Sequence, residues 1–286
     1  MPPRHFALLF RGEAWRWGCD AAGKAAQLLC TTSYLTHFVK PLEAAEHRVD
    51  IFLPMDIRIS SCMHMAQELI DILGGGRQVH AKRIRAATQG ENFRRSLDFF
   101  ENVQTASAAS NFTHLVVVRH DVQLLLPVTS WSCPPHNLGF AAYVDPSYGD
   151  NPDEPPLTAP VCGEGINDLM QWVPHQFMAV FSRVIGSKNG TDLREYDERG
   201  NTLNLEWPAC AETCGCFTQG QGCEESGHSC YSVAAALLLR KHISFCWPPA
   251  GDPWACQPRL GGVGANCTGG LPFYTRPFPT WLPSED

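Results

Sequence analysis

Long apolar runs are missing from this chain: the longest uninterrupted one, Val233 to Leu239, has seven residues. A membrane-crossing helix needs about 20, so no membrane span is expected in the chain as given. Runs of Lys or Arg longer than a pair of neighbours are also missing, and the formal net charge is −7 with an isoelectric point near 5.9. Nucleic-acid backbones are gripped by clustered cations, so nucleic acid is not an expected partner. A secretory signal core is lacking too. Phe6 to Phe10 gives five apolar residues before Arg11, short of the roughly 7–15 such a segment uses, and reads instead as a first core strand.

What is present suffices for a packed core: 44% of 286 residues are hydrophobic. Thirteen cysteines, seven of them from Cys210 to Cys256, fit an oxidising compartment better than the cytosol, with metal binding as the competing reading. Asn111-Phe-Thr, Asn189-Gly-Thr and Asn266-Cys-Thr match the N-glycosylation acceptor pattern. Both observations favour the lumen of the secretory pathway, endoplasmic reticulum or Golgi; a cytoplasmic location stays open. Cys210, Cys214, Cys216, Cys223 and Cys230 are separated by three, one, six and six residues, with His228 nearby. Those spacings match no familiar zinc module, so a disulfide-stapled loop is preferred. Cys246, Cys256 and Cys267 would anchor the tail similarly, while Cys19 and Cys30 read as buried thiols.

Periodicity gives the architecture. Strands are expected at His5–Phe10, at Arg48–Leu53 with Pro54 as its stop, at Val79–Ile84 and at Thr113–Val118. Helical spacing covers Ala21–Tyr34, Phe38–Ala45 with an interruption at Pro41, Met63–Leu73 ended by Gly74-Gly75-Gly76, and Gln89–Ala109. Strand and helix alternate, which predicts a mainly parallel, doubly wound α/β sheet flanked by helices. Beyond it lie a proline-punctuated stretch with a strand candidate at Leu138–Val144, helices at Gln176–Ile185 and Ser229–His242, and a strand at Ile243–Trp247. Residues 1–247 read as one domain with a Cys-rich insertion at about 208–230. Residues 248–286, rich in Pro and Gly and without periodicity, read as a tail packed on the surface.

Chemistry enters at Thr113–Leu126, THLVVVRHDVQLLL, where a buried strand gives way to Arg119, His120 and Asp121. In open α/β sheets ligands bind beyond the carboxyl ends of the strands. Arg119 and Asp121 therefore mark a polar-ligand site, with a local ion pair as the plain alternative. Alternation turns His120 to the opposite face, where it is expected to be structural. Arg11, Gly12, Glu13 and Arg16 similarly place charge and a tight turn just after the first strand. As an edge residue Asp121 should be replaceable by Ala with the fold intact.

HFALLFRGEAWRWG, the Gln-Leu-Leu helix, PLEAAEHRVDIFL, the helix beginning near Gln89 and Asn92, VVVRHDV and GINDLMQWVPHQFMAVF together, in this order, resemble eukaryotic glycosyltransferase-like proteins over about residues 5–186. The resemblance implies a Rossmann-like fold of the type called GT-A, a nucleotide-sugar donor and a glycan, protein or lipid acceptor. It would set Arg11, Gly12, Glu13 and Arg16 beside the nucleotide and Arg119 and Asp121 at the diphosphate or donor sugar. Asn167 and Asp168 would lie near the acceptor side, with Asn167 also among the donor contacts. For the base Asp168 comes first and Glu164 second, since both follow a Gly-containing loop. The metal motif of that family is Asp-x-Asp; here Arg119 holds the first position. One carboxylate is a poor Mn²⁺ or Mg²⁺ site, so Asp121 as a metal ligand is an expectation that an arginine contests. Asp168 also fits a helix N-cap over Leu169–Trp172. Two other functions stay open: a catalytically silent relative that binds glycans or partners, and a zinc-containing interaction protein.

Overall fold

The computed structural model describes residues 2–87, 89–106, 111–131, 138–142, 166–186, 195–196, 202–203, 243–246, 255–257 and 271–273. Strand β1 (His5–Arg11) leads to helix α1 (Ala21–Tyr34), which continues through a π-helical turn at Leu35–Val39 into α2 (Lys40–Ala44). Strand β2 (Arg48–Asp56), a 3-10 segment at Ser60–Met65, α3 (Ala66–Gly74), β3 (Val79–Ile84), α4 (Gln89–Ala106), β4 (His114–Arg119) and the short β5 (Gln123–Leu124) follow. Then come β6 (Leu138–Ala142), β7 (Ile166–Pro174), α5 (His175–Gly186), β8 (Glu195–Tyr196), β9 (Thr202–Leu203), β10 (Ile243–Cys246), β11 (Ala255–Gln257) and β12 (Leu271–Phe273).

Seven strands form one sheet in the order β10-β6-β7-β4-β1-β2-β3. Strands β1 to β4 pair in parallel, as do β6 and β10, whereas β7 runs antiparallel to both β4 and β6. The mainly parallel α/β sheet flanked by helices that the alternation predicts is therefore present, with one strand reversed. Its near-continuous apolar strands follow from cover on both faces. Phe6, Leu8 and Phe10 of β1 pack with Tyr34, Phe38, Leu42, Leu69 and Leu73 on one side. Ala7 and Leu9 pack with Phe93, Leu97, Phe100, Phe177 and Phe181 on the other.

Local chemistry explains most element ends. Asp20 caps α1, its side chain accepting from Gly23 N–H at 2.8 Å. Gly75 ends α3 with φ 49°, the left-handed stop expected of the glycine triplet. Two prolines behave differently from expectation. Pro41 follows directly on the π-helical turn Leu35–Val39, and the helical path runs on through it to Ala44, so no break occurs. Pro54 does not stop β2, which runs on to Asp56: the ladder with β1 ends at Leu9–Phe52, so past that point one edge of β2 needs no donor.

One cysteine reading changes as well. Cys19 is not a thiol but is bonded to buried Cys62, 43 residues away and with Cα atoms 5.4 Å apart; only tertiary contact reveals such a pair. Cys30 is a free, buried thiol, as expected. Within the tail, β11 pairs antiparallel with β12 and with β5, and strands of three residues are too short to leave a periodic signal. The Cys-rich insertion and the Ser229–His242 helix lie outside the described residues. Among the described residues no helix is long and apolar enough to cross a membrane.

Candidate functional site

Because β1, β2 and β4 are parallel, Arg11, Asp56 and Arg119 arrive at the same sheet edge, with Arg11 in register with Arg119 and Glu13 bridging to Asp56. Here the apolar strands end in charge. Arg16, Arg58 and Arg119 pair with Glu13, Asp56 and Asp121, and Arg11 ends β1 beside Arg119, in a chain whose overall charge is −7.

The tightest part is a carboxylate between two guanidinium groups. Arg119 Nε donates to Asp121 Oδ1 at 2.7 Å and its Nη2 to Oδ2 at 2.6 Å, a bidentate fork. Arg16 Nη1 donates to the same Oδ2 at 2.9 Å. The three groups differ in depth: the side chains of Asp121 and Arg119 are 5% and 8% exposed, that of Arg16 is 48% exposed. Beside them the Arg11 guanidinium lies 4.5 Å from the centre of the Phe93 ring, a cation–π contact. Arg58 Nε reaches Asp56 Oδ2 at 3.4 Å and Glu13 Oε2 at 4.0 Å. Burial raises the Glu13 carboxyl above its ordinary range. Arg58 and Arg16 pull it down, and Asp56 and Asp121 push it further up.

Three helix side chains hold the loops in place. Gln27 of α1 accepts from Trp15 N–H at 2.8 Å and donates to the His120 carbonyl at 3.1 Å, so one buried amide ties the loop after β1 to the turn after β4. Tyr34 donates its hydroxyl to the Arg119 carbonyl at 2.9 Å. Asn92 of α4 accepts from Gly12 N–H at 2.7 Å and donates to Asp56 Oδ2 at 3.3 Å. Gly12 turns at φ 87° and Trp15, buried, at φ 60°. The second is a costly backbone for a bulky residue, and it persists because the surroundings fix it. Cys19–Cys62 links the same β1 loop to the segment after β2.

Of the residues singled out from sequence, Arg11, Gly12, Glu13, Arg16, Arg119 and Asp121 lie together at this edge. Asn167 and Asp168 lie on β7, and since Val118 pairs with Met170 in antiparallel register, they fall toward the Arg119 end of β4. Asp168 is within a strand, so the helix-cap reading of Leu169–Trp172 is overturned. Glu164 lies outside the described residues. His120 is buried, its Nε2 3.1 Å from the Pro54 carbonyl oxygen. Burial lowers its pKa to about 4, the Pro54 carbonyl, Asp121 and Asp56 opposing, so it stays neutral and structural. Gln27, Tyr34, Asp56, Arg58 and Asn92 had no functional reading in sequence. A lone polar residue on an amphipathic helix carries no signal of its target; only the buried position of Gln27 and Asn92 among apolar neighbours hints at one.

The residues present fit a divalent cation badly. Both Asp121 oxygens already accept guanidinium N–H groups, and hard cations want several oxygen ligands at about 2.0–2.6 Å. Among the described residues no three His, Cys, Asp or Glu side chains gather in a metal-binding group.

No family model matches the chain, and no curated protein sequence does. The chain is similar to solved glycosyltransferases. Mouse xyloside xylosyltransferase 1 in its apo form matches 85% of this chain over 84% of its own length, at TM-score 0.40 and 11% identity. The galactosyltransferase LgtC, solved with donor and acceptor sugar analogs, matches 84% over 72% of its own, at TM-score 0.39 and 10% identity. The glycosyltransferase GlyE of Streptococcus pneumoniae TIGR4 matches 85% over 45% of its own, at TM-score 0.38 and 10% identity.

Proposed function

We propose that this protein is a glycosyltransferase that moves a sugar from a nucleotide-sugar donor to a glycan, protein or lipid acceptor. The observation that carries the reading is the convergence of Arg11, Arg16, Arg58 and Arg119 with three carboxylates at the carboxyl edge of the parallel strands, where such sheets bind ligands. Gly12, Glu13, Arg11 and Arg16 would line the nucleotide, with Arg16 reaching toward its phosphates; Arg119 and Asp121 would lie at the diphosphate or donor sugar, and Asn167 with Asp168 toward the acceptor side.

In the transfer, the bond from the anomeric carbon to the terminal phosphate oxygen breaks and its electron pair leaves on that oxygen. The acceptor hydroxyl oxygen forms the new bond and gives its proton to the Asp168 carboxylate, Glu164 being the second choice of base. Charge developing on the leaving diphosphate is what the arginines would stabilise, already in place before reaction. The disulfide and the exposed Asn111 of the first acceptor sequence support a setting in the secretory lumen.

UDP and GDP should each be tested by thermal shift. At about 100-fold over its dissociation constant the correct nucleotide should raise the melting temperature by roughly 5–10 °C. Asp168→Asn should then keep nucleotide binding and lose donor turnover. The internal pairing of Asp121 favours one second reading, a silent relative that binds donor without transfer. Nucleotide binding with no hydrolysis of any sugar donor would select it, and no nucleotide binding at all would reject both.

A further inference from the structure

We infer that the diphosphate is held at this site by guanidinium groups without an intervening divalent cation, Arg16 being the group that reaches it and Asp121 serving arginines rather than a metal. The inference rests on the nucleotide-sugar reading above and concerns how that ligand is gripped. Its first support is occupancy. Asp121 Oδ1 accepts from Arg119 Nε at 2.7 Å, and Oδ2 accepts from Arg119 Nη2 at 2.6 Å and Arg16 Nη1 at 2.9 Å. A cation bound to those oxygens would have to displace N–H donors and sit against two positive charges.

The second support is charge and depth. One carboxylate between two guanidinium groups leaves a net positive centre, which repels a dication and attracts a diphosphate. The anion lies beneath, 5% exposed, and the Arg16 cation lies above it, 48% exposed. A guanidinium has five N–H donors in a fixed fork that matches phosphate oxygens, and the Arg16 contact to Asp121 uses Nη1. The third support is fixation. Arg16 follows Trp15, which is buried at φ 60° with its N–H on Gln27. The same Gln27 holds the turn that carries Asp121. An arginine that served only to decorate the surface would need no such anchoring.

Titration calorimetry with UDP, GDP and inorganic pyrophosphate, each in EDTA and in saturating Mn²⁺, tests this on the whole chain. At least one nucleotide and pyrophosphate should bind in EDTA, with Mn²⁺ changing the affinity less than about threefold. Arg16→Ala, a change at an exposed side chain, should weaken both ligands roughly ten- to a hundredfold, with Arg16→Lys in between. Arg48→Met at the far edge of the sheet should leave both unchanged. Nucleotide binding that requires Mn²⁺, or full affinity in Arg16→Ala, overturns the inference and spares the transferase reading. Pyrophosphate binding in EDTA without either nucleotide upholds the guanidinium grip and sinks the transferase reading. No binding of any probe sinks both.

Discussion

The same three-residue pattern occurs at opposite edges of this sheet. Arg48-Val49-Asp50 opens β2 and Arg119-His120-Asp121 follows from the end of β4, and in each the arginine forks onto the carboxylate two residues on. In each the aspartate is buried. At the amino edge Asp50 is met by His5 Nε2 at 3.0 Å and by an Arg48 that is 62% exposed. At the carboxyl edge Asp121 is met by a buried Arg119 and by a second arginine from the neighbouring loop. The pattern is the same and the surroundings are not. An Arg-x-Asp sequence acquires ligand chemistry only where loops from several strands gather around it, and in a parallel sheet that is the carboxyl edge.

The largest expected contrast is in stability. Asp121→Ala removes the carboxylate faced by a buried guanidinium and should cost roughly 3–5 kcal/mol, against the sequence-based expectation of an unharmed fold. Asp50→Ala should cost roughly 1–3 kcal/mol, because Arg48 remains hydrated. Urea denaturation of both variants measures the difference, and equal losses would erase the distinction between the edges. Next in size is Gln27→Leu, which leaves Trp15 N–H and the His120 carbonyl without their partner in the interior. It should lose roughly 1–3 kcal/mol and weaken UDP binding together with Arg16→Ala in a non-additive way. Additive losses would mean that Gln27 does not set the Arg16 loop.

The middle residues of the two patterns sharpen the comparison. Val49 is inert, whereas His120, buried and stacked on Phe10 at 5.2 Å, has a pKa of about 4. A folded-state pKa below the unfolded value of about 6.5 means that the unfolded chain takes up the proton first. The stability supplied by neutral His120 is therefore complete above pH 6.5 and is lost as pH falls toward 4. Between pH 7 and 5 this one group should remove about 2 kcal/mol. A His120→Gln variant, less stable at pH 7, should show a shallower decline over that window; an unchanged slope would show that His120 does not resist protonation.

Much of this edge was legible before folding. Ala21–Tyr34 and Val79–Ile84 have the bounds their periodicity predicts, and Arg119 and Asp121 stood out because charge ended a buried strand. Three things were hidden, each for a physical reason. Pro54 looked like a terminator because the loss of one ladder partner is a tertiary fact. The Cys19–Cys62 bond and the Gln27 and Asn92 braces join segments far apart in the chain, which local spacing does not encode. The depth difference between Arg16 and Arg119 was invisible because both are simply arginines near a strand end.

The smallest effect is the one that isolates position from composition. Arg48→Met breaks a fork that is longer than that of Arg119, 3.1 Å for each contact against 2.7 and 2.6 Å, and its guanidinium is largely in water, where such a pair contributes at most about 1 kcal/mol. His5 still meets Asp50 in the variant, so the buried carboxylate keeps a partner. Stability should fall by less than about 1 kcal/mol, and UDP affinity should match the parent chain within error. Arg119→Met, by contrast, removes a buried cation from the site and should fail in both measurements. Were Arg48→Met to lose nucleotide affinity as Arg119→Met does, the ligand would not belong to the carboxyl edge at all, and the two patterns would have to be reassigned.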